Sequence, residues 1–179
     1  MSHPTQTPCE ISSYSLTELA ADSDPQVVAA ARELLLEYGS FVAAQPTVAT
    51  FCFGTLQQEA AELPHTYPNQ NGGAILATRG SRPAGFIAWR SLPLPELASA
   101  WELKRLWIRP EARGSGLGSA LVESVISRAR LTGKTELVLD TAPDSMAAAV
   151  CLYRKLGFVD CPCYNGCPKA GILYLRKSL

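Results

Sequence analysis

Trp101-Glu-Leu-Lys-Arg-Leu-Trp-Ile-Arg-Pro-Glu-Ala-Arg-Gly-Ser-Gly-Leu-Gly-Ser-Ala-Leu121 joins an extended run to a helix through a glycine-rich bend. Residues 98–109 alternate in polarity and predict a long strand ending near Ile108. Leu117, Leu121, Val125 and Ala129 then recur every four residues, which predicts an amphipathic helix over 116–131. A helix start offers unpaired N–H groups and positive potential. Glycines let the backbone come close to an anion, and Arg113 adds charge. The bend therefore reads as a cradle for a diphosphate, with a glycine-rich turn that binds nothing as the plain alternative. A P-loop is excluded, because no lysine follows the glycines. A dinucleotide fold is a poor match. Gly114-x-Gly116-x-x ends in Ser119, and Asp140 lies at a ribose-like spacing, but the motif begins past mid-chain and hairpins precede it.

Working outward, Asp24-Pro25 opens a helix whose apolar positions Val28, Ala31, Leu35 and Tyr38 run to Gly39, the expected stop. Residues 40–54 read as irregular, 55–63 as a short helix and 64–73 as loop. Residues 74–79 and 84–89 read as two strands joined by a hairpin at Gly80-Ser-Arg-Pro83. Beyond the central motif come a strand over 136–140, a helix over 145–156 stopped at Gly157, a strand segment opened by Phe158, and a last strand over 171–176. An edge strand is expected over 8–14. The order is mixed α/β, with hairpin-linked middle strands and one helical crossover.

The 179 residues suit a single domain over 1–179, with 1–7 expected to be flexible. Sixteen basic residues balance sixteen acidic ones, which removes the bulk electrostatic case for nucleic acid or an anionic membrane. No apolar run reaches membrane-span length and the first residues lack a secretory pattern, so a cytoplasmic location is expected. Six cysteines in such a chain read as free thiols. Cys161-x-Cys163-x-x-x-Cys167 looks metal-like but fits no standard zinc spacing, and His3 and His65 are remote.

The central segment resembles the GNAT superfamily of acyl-CoA-dependent N-acyltransferases. Arg113, Gly116 and Gly118 fit its Arg/Gln-x-x-Gly-x-Gly/Ala signature, and Ala149-Val-Cys-Leu-Tyr-Arg-Lys-Leu-Gly-Phe158 is similar to its Leu-Tyr-x-x-x-Gly-Phe element. The resemblance covers roughly 74–158. It implies an α/β GNAT-like fold with a mixed, mostly antiparallel central sheet flanked by helices. It also implies acetyl-CoA as cosubstrate, no metal, and acetyl transfer to a primary amine by direct attack in a ternary complex. A non-catalytic acyl-CoA-binding module on the same fold is the alternative. Family members often dimerise, so a homodimer is compatible, although the sequence marks no interface; neither nucleic acid nor membrane is implied.

By match, the N–H groups of Gly114, Gly116, Leu117 and Gly118 hold the pyrophosphate, with Arg113 at the rim and Ser119 as a hydroxyl donor. Leu106 and Ile108 face the pantetheine arm, and the Leu106 N–H meets the thioester oxygen. Glu102 matches a glutamate that serves some members as general base, against an ion-paired strand glutamate with Lys104 or Arg105 as the alternative. Tyr153 matches the tyrosine that protonates the leaving thiolate, against an ordinary core aromatic. Met146 stands where many members have asparagine, with Ser145 as a substitute contact. The acceptor pocket would draw on roughly 40–56, 64–72 and 160–170, where Phe41, Phe51, Phe53, Tyr67, Tyr164 and Asn165 lie.

Overall fold

In a computed structural model, residues 13–45, 56–166 and 168–179 are described. They build a seven-stranded sheet in the order β1-β2-β3-β4-β5-β7-β6. Its strands are β1 (Ser15–Glu18), β2 (Gly73–Arg79), β3 (Arg82–Ser91), β4 (Ala100–Ile108), β5 (Glu136–Thr141), β6 (Val159–Asp160) and β7 (Leu173–Ser178). All neighbours are antiparallel except β4 and β5. That parallel pair needs a crossover, and α3 (Leu117–Leu131) supplies it. The other helices are α1 (Pro25–Ala43), α2 (56–61) and α4 (Ala147–Lys155).

Period-two alternation sends side chains to two cores. Ile75, Ala77, Ile87, Trp89, Trp101 and Leu103 pack under α3 and α4. Ala74, Leu76, Phe86 and Ala88 pack under α1 and α2. The parity changes within β4. Phe86 opposes Trp107 and Ala88 opposes Lys104, so Arg105 and Leu106 together face the single residue Ile87. Arg105 takes φ 58°, a left-handed conformation unusual for a side-chain-bearing residue. The extra residue reverses the facing of the last part of the strand. Leu106 and Ile108 now lie toward α3, while Trp107 joins the core under α1.

The sequence expectations are amended at several ends. α1 does not stop at Gly39 but runs to Ala43. Gly39 is a contact point, because a Cβ there would lie 3.7 Å from Leu56 of α2. The expected strand over 8–14 falls mostly outside the described residues; β1 follows at 15–18 with every side chain exposed, so no apolar alternation marks it. The last strand begins at Leu173, two residues late, because Gly171 (φ 76°) and the Ile172 N–H bond to the Lys169 carbonyl make a turn first. Asp24 caps α1 as expected, its carboxylate accepting from the Gln26 N–H at 2.7 Å. Among the described residues, no helix is long and apolar enough to cross a membrane.

Candidate active site

β4 and β5 pair only from Ala100 to Glu102, against Glu136 to Val138. Beyond that point β5 pairs with β7 alone and β4 with β3 alone. The two strands therefore part, and two cavities meet in the gap. Tyr38, Leu106, Met146 and Ala149 line both.

The first cavity, about 430 Å³, runs from the glycine bend to the gap. Gly114 and Gly116 take φ of 77° and 84°. The bend thus turns a full corner from the 3-10 turn Pro110–Ala112 into α3. The first intrahelical bond is Ala120 N–H to the Gly116 carbonyl, at 3.1 Å. The N–H groups of Leu117, Gly118 and Ser119 precede it and have no acceptor in their own helix. All three residues line the cavity, as do Gly114, Ile108 and Ser145. The Arg113 guanidinium lies over the Trp107 ring, 5.1 Å from its centroid, and its Nε donates to the Ile108 carbonyl at 3.1 Å. Tyr38 and Phe41 pack on Trp107 from α1, at centroid distances of 6.3 and 5.3 Å. A concave site whose N–H donors converge at a helix start, with a guanidinium at its mouth and an apolar floor, fits a diphosphate followed by a lipophilic arm.

The second cavity, about 300 Å³, is polar. Glu102 projects into it and is only 1% exposed. Its Oε2 accepts from Arg90 Nε at 2.7 Å and its Oε1 from the Tyr164 hydroxyl at 2.9 Å. Lys104 Nζ stands 3.6 Å away. Burial pushes this carboxyl's pKa up, but Lys104, Arg90 and Tyr164 more than offset that and hold it below the ordinary glutamate value. The ion-paired reading of Glu102 thus holds for Lys104, with Arg90 as a further partner. Arg105 is not among them. It pairs instead with Glu59 of α2, through Nη2 to Oε1 at 2.7 Å and Nε to Oε2 at 2.9 Å. Tyr153 is 7% exposed and lines the polar cavity, with its ring 5.6 Å from Phe158. Burial, together with Tyr38 and Asp140, raises its phenol pKa. It is both a core aromatic and a cavity wall.

The fold thus gathers Glu102, Leu106, Ile108, Arg113, the bend and Tyr153 around one gap. Arg90, Glu59 and Trp107 escaped the sequence reading. Arg90 had a traceable signal, since it sits directly across from Glu102 in the β3–β4 register. Glu59 had none, since its partner lies 46 residues away. Of the acceptor stretches, Phe51 and Phe53 lie outside the described residues. Tyr67 is sealed in the core, with its hydroxyl on Glu59, while Tyr164 and Asn165 do reach the polar cavity or its glutamate. Cys151, Cys161 and Cys163 are not in a disulfide, and the Cys163 thiol donates to Asn165 Oδ1. Cys9, Cys52 and Cys167 lie outside the described residues. Among those described, no three His, Cys, Asp or Glu residues gather as a metal site.

Comparison with known proteins bears on this arrangement. N-acetyltransferase from Staphylococcus aureus Mu50 superposes with a TM-score of 0.71 over 92% of this chain and 98% of its own, at 18% identity. A Salmonella typhimurium protein solved with its cofactor acetyl-CoA gives 0.69 over 93% and 94%, at 17% identity. At these identities the likeness is one of fold. An uncharacterized N-acetyltransferase of Schizosaccharomyces pombe is 40% identical over 78 residues, 44% of this chain and 47% of that protein. N-acetyltransferase 8F1 of Rattus norvegicus is 33% identical over 124 residues, 66% of this chain and 53% of that protein. The chain spans about half the length of the curated relatives it matches. The model of the acetyltransferase (GNAT) family matches residues 28–158, taking in the glycine bend, the parted strands and the Leu-Tyr-x-x-x-Gly-Phe element alike, and the chain belongs to that family.

Proposed function

We propose that this protein transfers an acetyl group from acetyl-CoA to a primary amine, by direct attack of the amine on the thioester. One observation carries the reading. A cavity headed by helix N–H groups with no acceptor in their own helix and a polar, charged cavity share Tyr38, Leu106, Met146 and Ala149 where β4 leaves β5. The donor enters from one side and the acceptor from the other. The bend amides of Gly114, Gly116, Leu117 and Gly118 hold the diphosphate, with Arg113 and Ser119 at its edge. The arm runs along Leu106 and Ile108, whose strand has lost β5 there and on that edge can bond to amides of the ligand.

At the gap the amine nitrogen forms a bond to the acyl carbon, the carbon–sulfur bond breaks, and the nitrogen gives up a proton to solvent, from which Tyr153 regains the proton it lends to the sulfur. Charge that develops on the thioester oxygen is met by the Leu106 N–H beside the bulge. The departing thiolate takes a proton from Tyr153; burial raises that phenol's pKa, which keeps it protonated before the reaction and also makes it a weaker acid than an exposed tyrosine. Replacing Tyr153 with phenylalanine is expected to lower kcat about 10- to 100-fold with little change in KM for acetyl-CoA, since general-acid help is worth about that or more; steady-state rates from free-thiol release measure it. Full turnover would return Tyr153 to the core alone.

The role of Glu102 is set by its partners. Both oxygens already accept hydrogen bonds and its carboxyl is held low, which makes it a weak proton acceptor. The role it suits is a fixed negative charge that orders Arg90, Lys104 and Tyr164 around the acceptor. Glu102→Gln should therefore lower kcat/KM while the acid limb of the pH–rate profile survives. A limb that vanishes would make Glu102 the base after all. The whole reading is tested by calorimetry with coenzyme A and by an amine screen for thiol release. Uptake without turnover of any amine would leave a binding module.

A further inference from the structure

The polar cavity has an uneven supply of partners. Glu59 is saturated by Arg105 and Tyr67, and Glu102 by Arg90 and Tyr164. Two of the cations, Lys104 and Arg90, are less fully held. Lys104 has a side chain only 14% exposed, yet its ammonium makes no hydrogen bond to any described residue; its nearest oxygens are Glu102 at 3.6 Å and Asp140 at 3.8 Å. Arg90 uses Nε on Glu102 and Nη1 on Gln70, leaving Nη2 without a described acceptor. A mostly buried cation with idle donors is costly unless solvent or a ligand supplies the acceptor, and a ligand anion does so more strongly. Beside them stands a carboxylate, Asp140, held among the described residues only by its long 3.8 Å pair with Lys104. Asp140 accepts no hydrogen bond from the described residues, lines the same cavity, and acts electrostatically on Tyr153 beside the gap.

From this we infer that the acceptor is a free α-amino acid, its ammonium held by Asp140 and its carboxylate by Lys104 and Arg90. The opposite charges of an α-amino acid lie a few ångströms apart, as Asp140 and Lys104 do. About 300 Å³ is the size of a small-molecule site. The ammonium sits on the Tyr153 side, where the acyl group arrives. Acetylation of that nitrogen releases its proton and its positive charge. The product then loses its hold on Asp140, which favours release.

The inference rests on the acetyl-transfer reading, and the test separates the two. The common α-amino acids are compared, by thiol release with acetyl-CoA, with the same molecules lacking the carboxylate and with their carboxamides. The best amino acid is expected to exceed both controls at least about tenfold in kcat/KM. Lys104→Met should bring the three to within about threefold of each other, chiefly by raising KM for the amino acid, whereas Lys104→Arg should keep most of the preference. The inference is overturned if wild-type protein turns over the controls as well as the amino acids, or if the preference survives Lys104→Met. Should Lys104→Met not fold, the wild-type comparison and Lys104→Arg decide. Coenzyme A uptake with no amine acetylated defeats the inference and leaves the donor site standing; no uptake of coenzyme A removes both.

Discussion

Gly116→Val is expected to weaken coenzyme A binding about a hundredfold or more. Gly116 is the residue just before α3 and has φ 84°, where a β-branched side chain is strained by roughly 1–2 kcal/mol or more. The bend would relieve that strain by rotating, and rotation turns the N–H groups of Leu117 and Gly118 away from a common point. A hydrogen bond to a charged group is worth about 1.5–3 kcal/mol. Losing two of them exceeds the ~2.7 kcal/mol that a hundredfold represents. The unliganded fold should lose much less, because the helix itself is packed through Leu117, Leu121, Val125 and Ala129, all buried under the sheet. Titration calorimetry reads the affinity, and thermal unfolding with and without coenzyme A reads the linkage. A folded variant with wild-type affinity would mean that the bend is not the anion site.

Glu59→Ala should destabilise the fold by about 3–5 kcal/mol, the usual penalty for stranding one member of a buried ion pair. For a chain of this length that is roughly a 6–20 °C fall in Tm. Arg105 is the partner that loses its carboxylate. Its side chain is 5% exposed, its backbone is in the left-handed region, and its guanidinium otherwise faces the Tyr38 ring at 5.9 Å. The bidentate pair with Glu59 therefore holds the β4 bulge in its conformation. Activity should fall with stability, because Leu106 is the next residue. Glu59→Met combined with Arg105→Met should regain much of the loss, since no charge is then left unpaired. Chemical denaturation of the single and double variants measures this; an additive double variant would show that the pair does not couple.

The same pair sets a pH dependence. Burial pushes the Glu59 carboxyl up, but the Arg105 bonds and charge and the Tyr67 hydroxyl hold it below 4.5 in the folded protein. On acidification the unfolded chain thus takes up the proton first. The stabilisation is full above the ordinary glutamate value and is lost as pH falls through the depressed one. Glu102 and Glu37 act in the same direction. Stability should drop more gently with acid in Glu59→Ala than in the parent chain.

Much of the fold comes from local pattern. Leu117, Leu121, Val125 and Ala129 can bury one stripe only as a helix, and the glycines before them can turn a corner only there. The hairpin at Gly80, the stop at Gly157 and the cap at Asp24 are likewise short-range effects of backbone freedom and side-chain hydrogen bonding. These neighbours in sequence are neighbours in space, so the donor side of the site could be read from spacing. The role expected of Glu102 depended on spacing too, but its partners did not. Arg90 comes from the adjacent strand, Tyr164 from a loop 62 residues on, and together they alter what its carboxylate can do.

The bulge in β4 lies beyond any local rule. Glu102 to Ile108 reads as one alternating strand, which would put Arg105 and Trp107 on the same face as Leu103. The chain instead inserts one residue, sends Arg105 to Glu59 and brings Leu106 and Ile108 to the α3 side. Alternation records only which residues avoid water. Where a strand must skip a step is set by an ion pair on a distant helix and by the loss of β5 as a neighbour, and both exist only once the layers have packed.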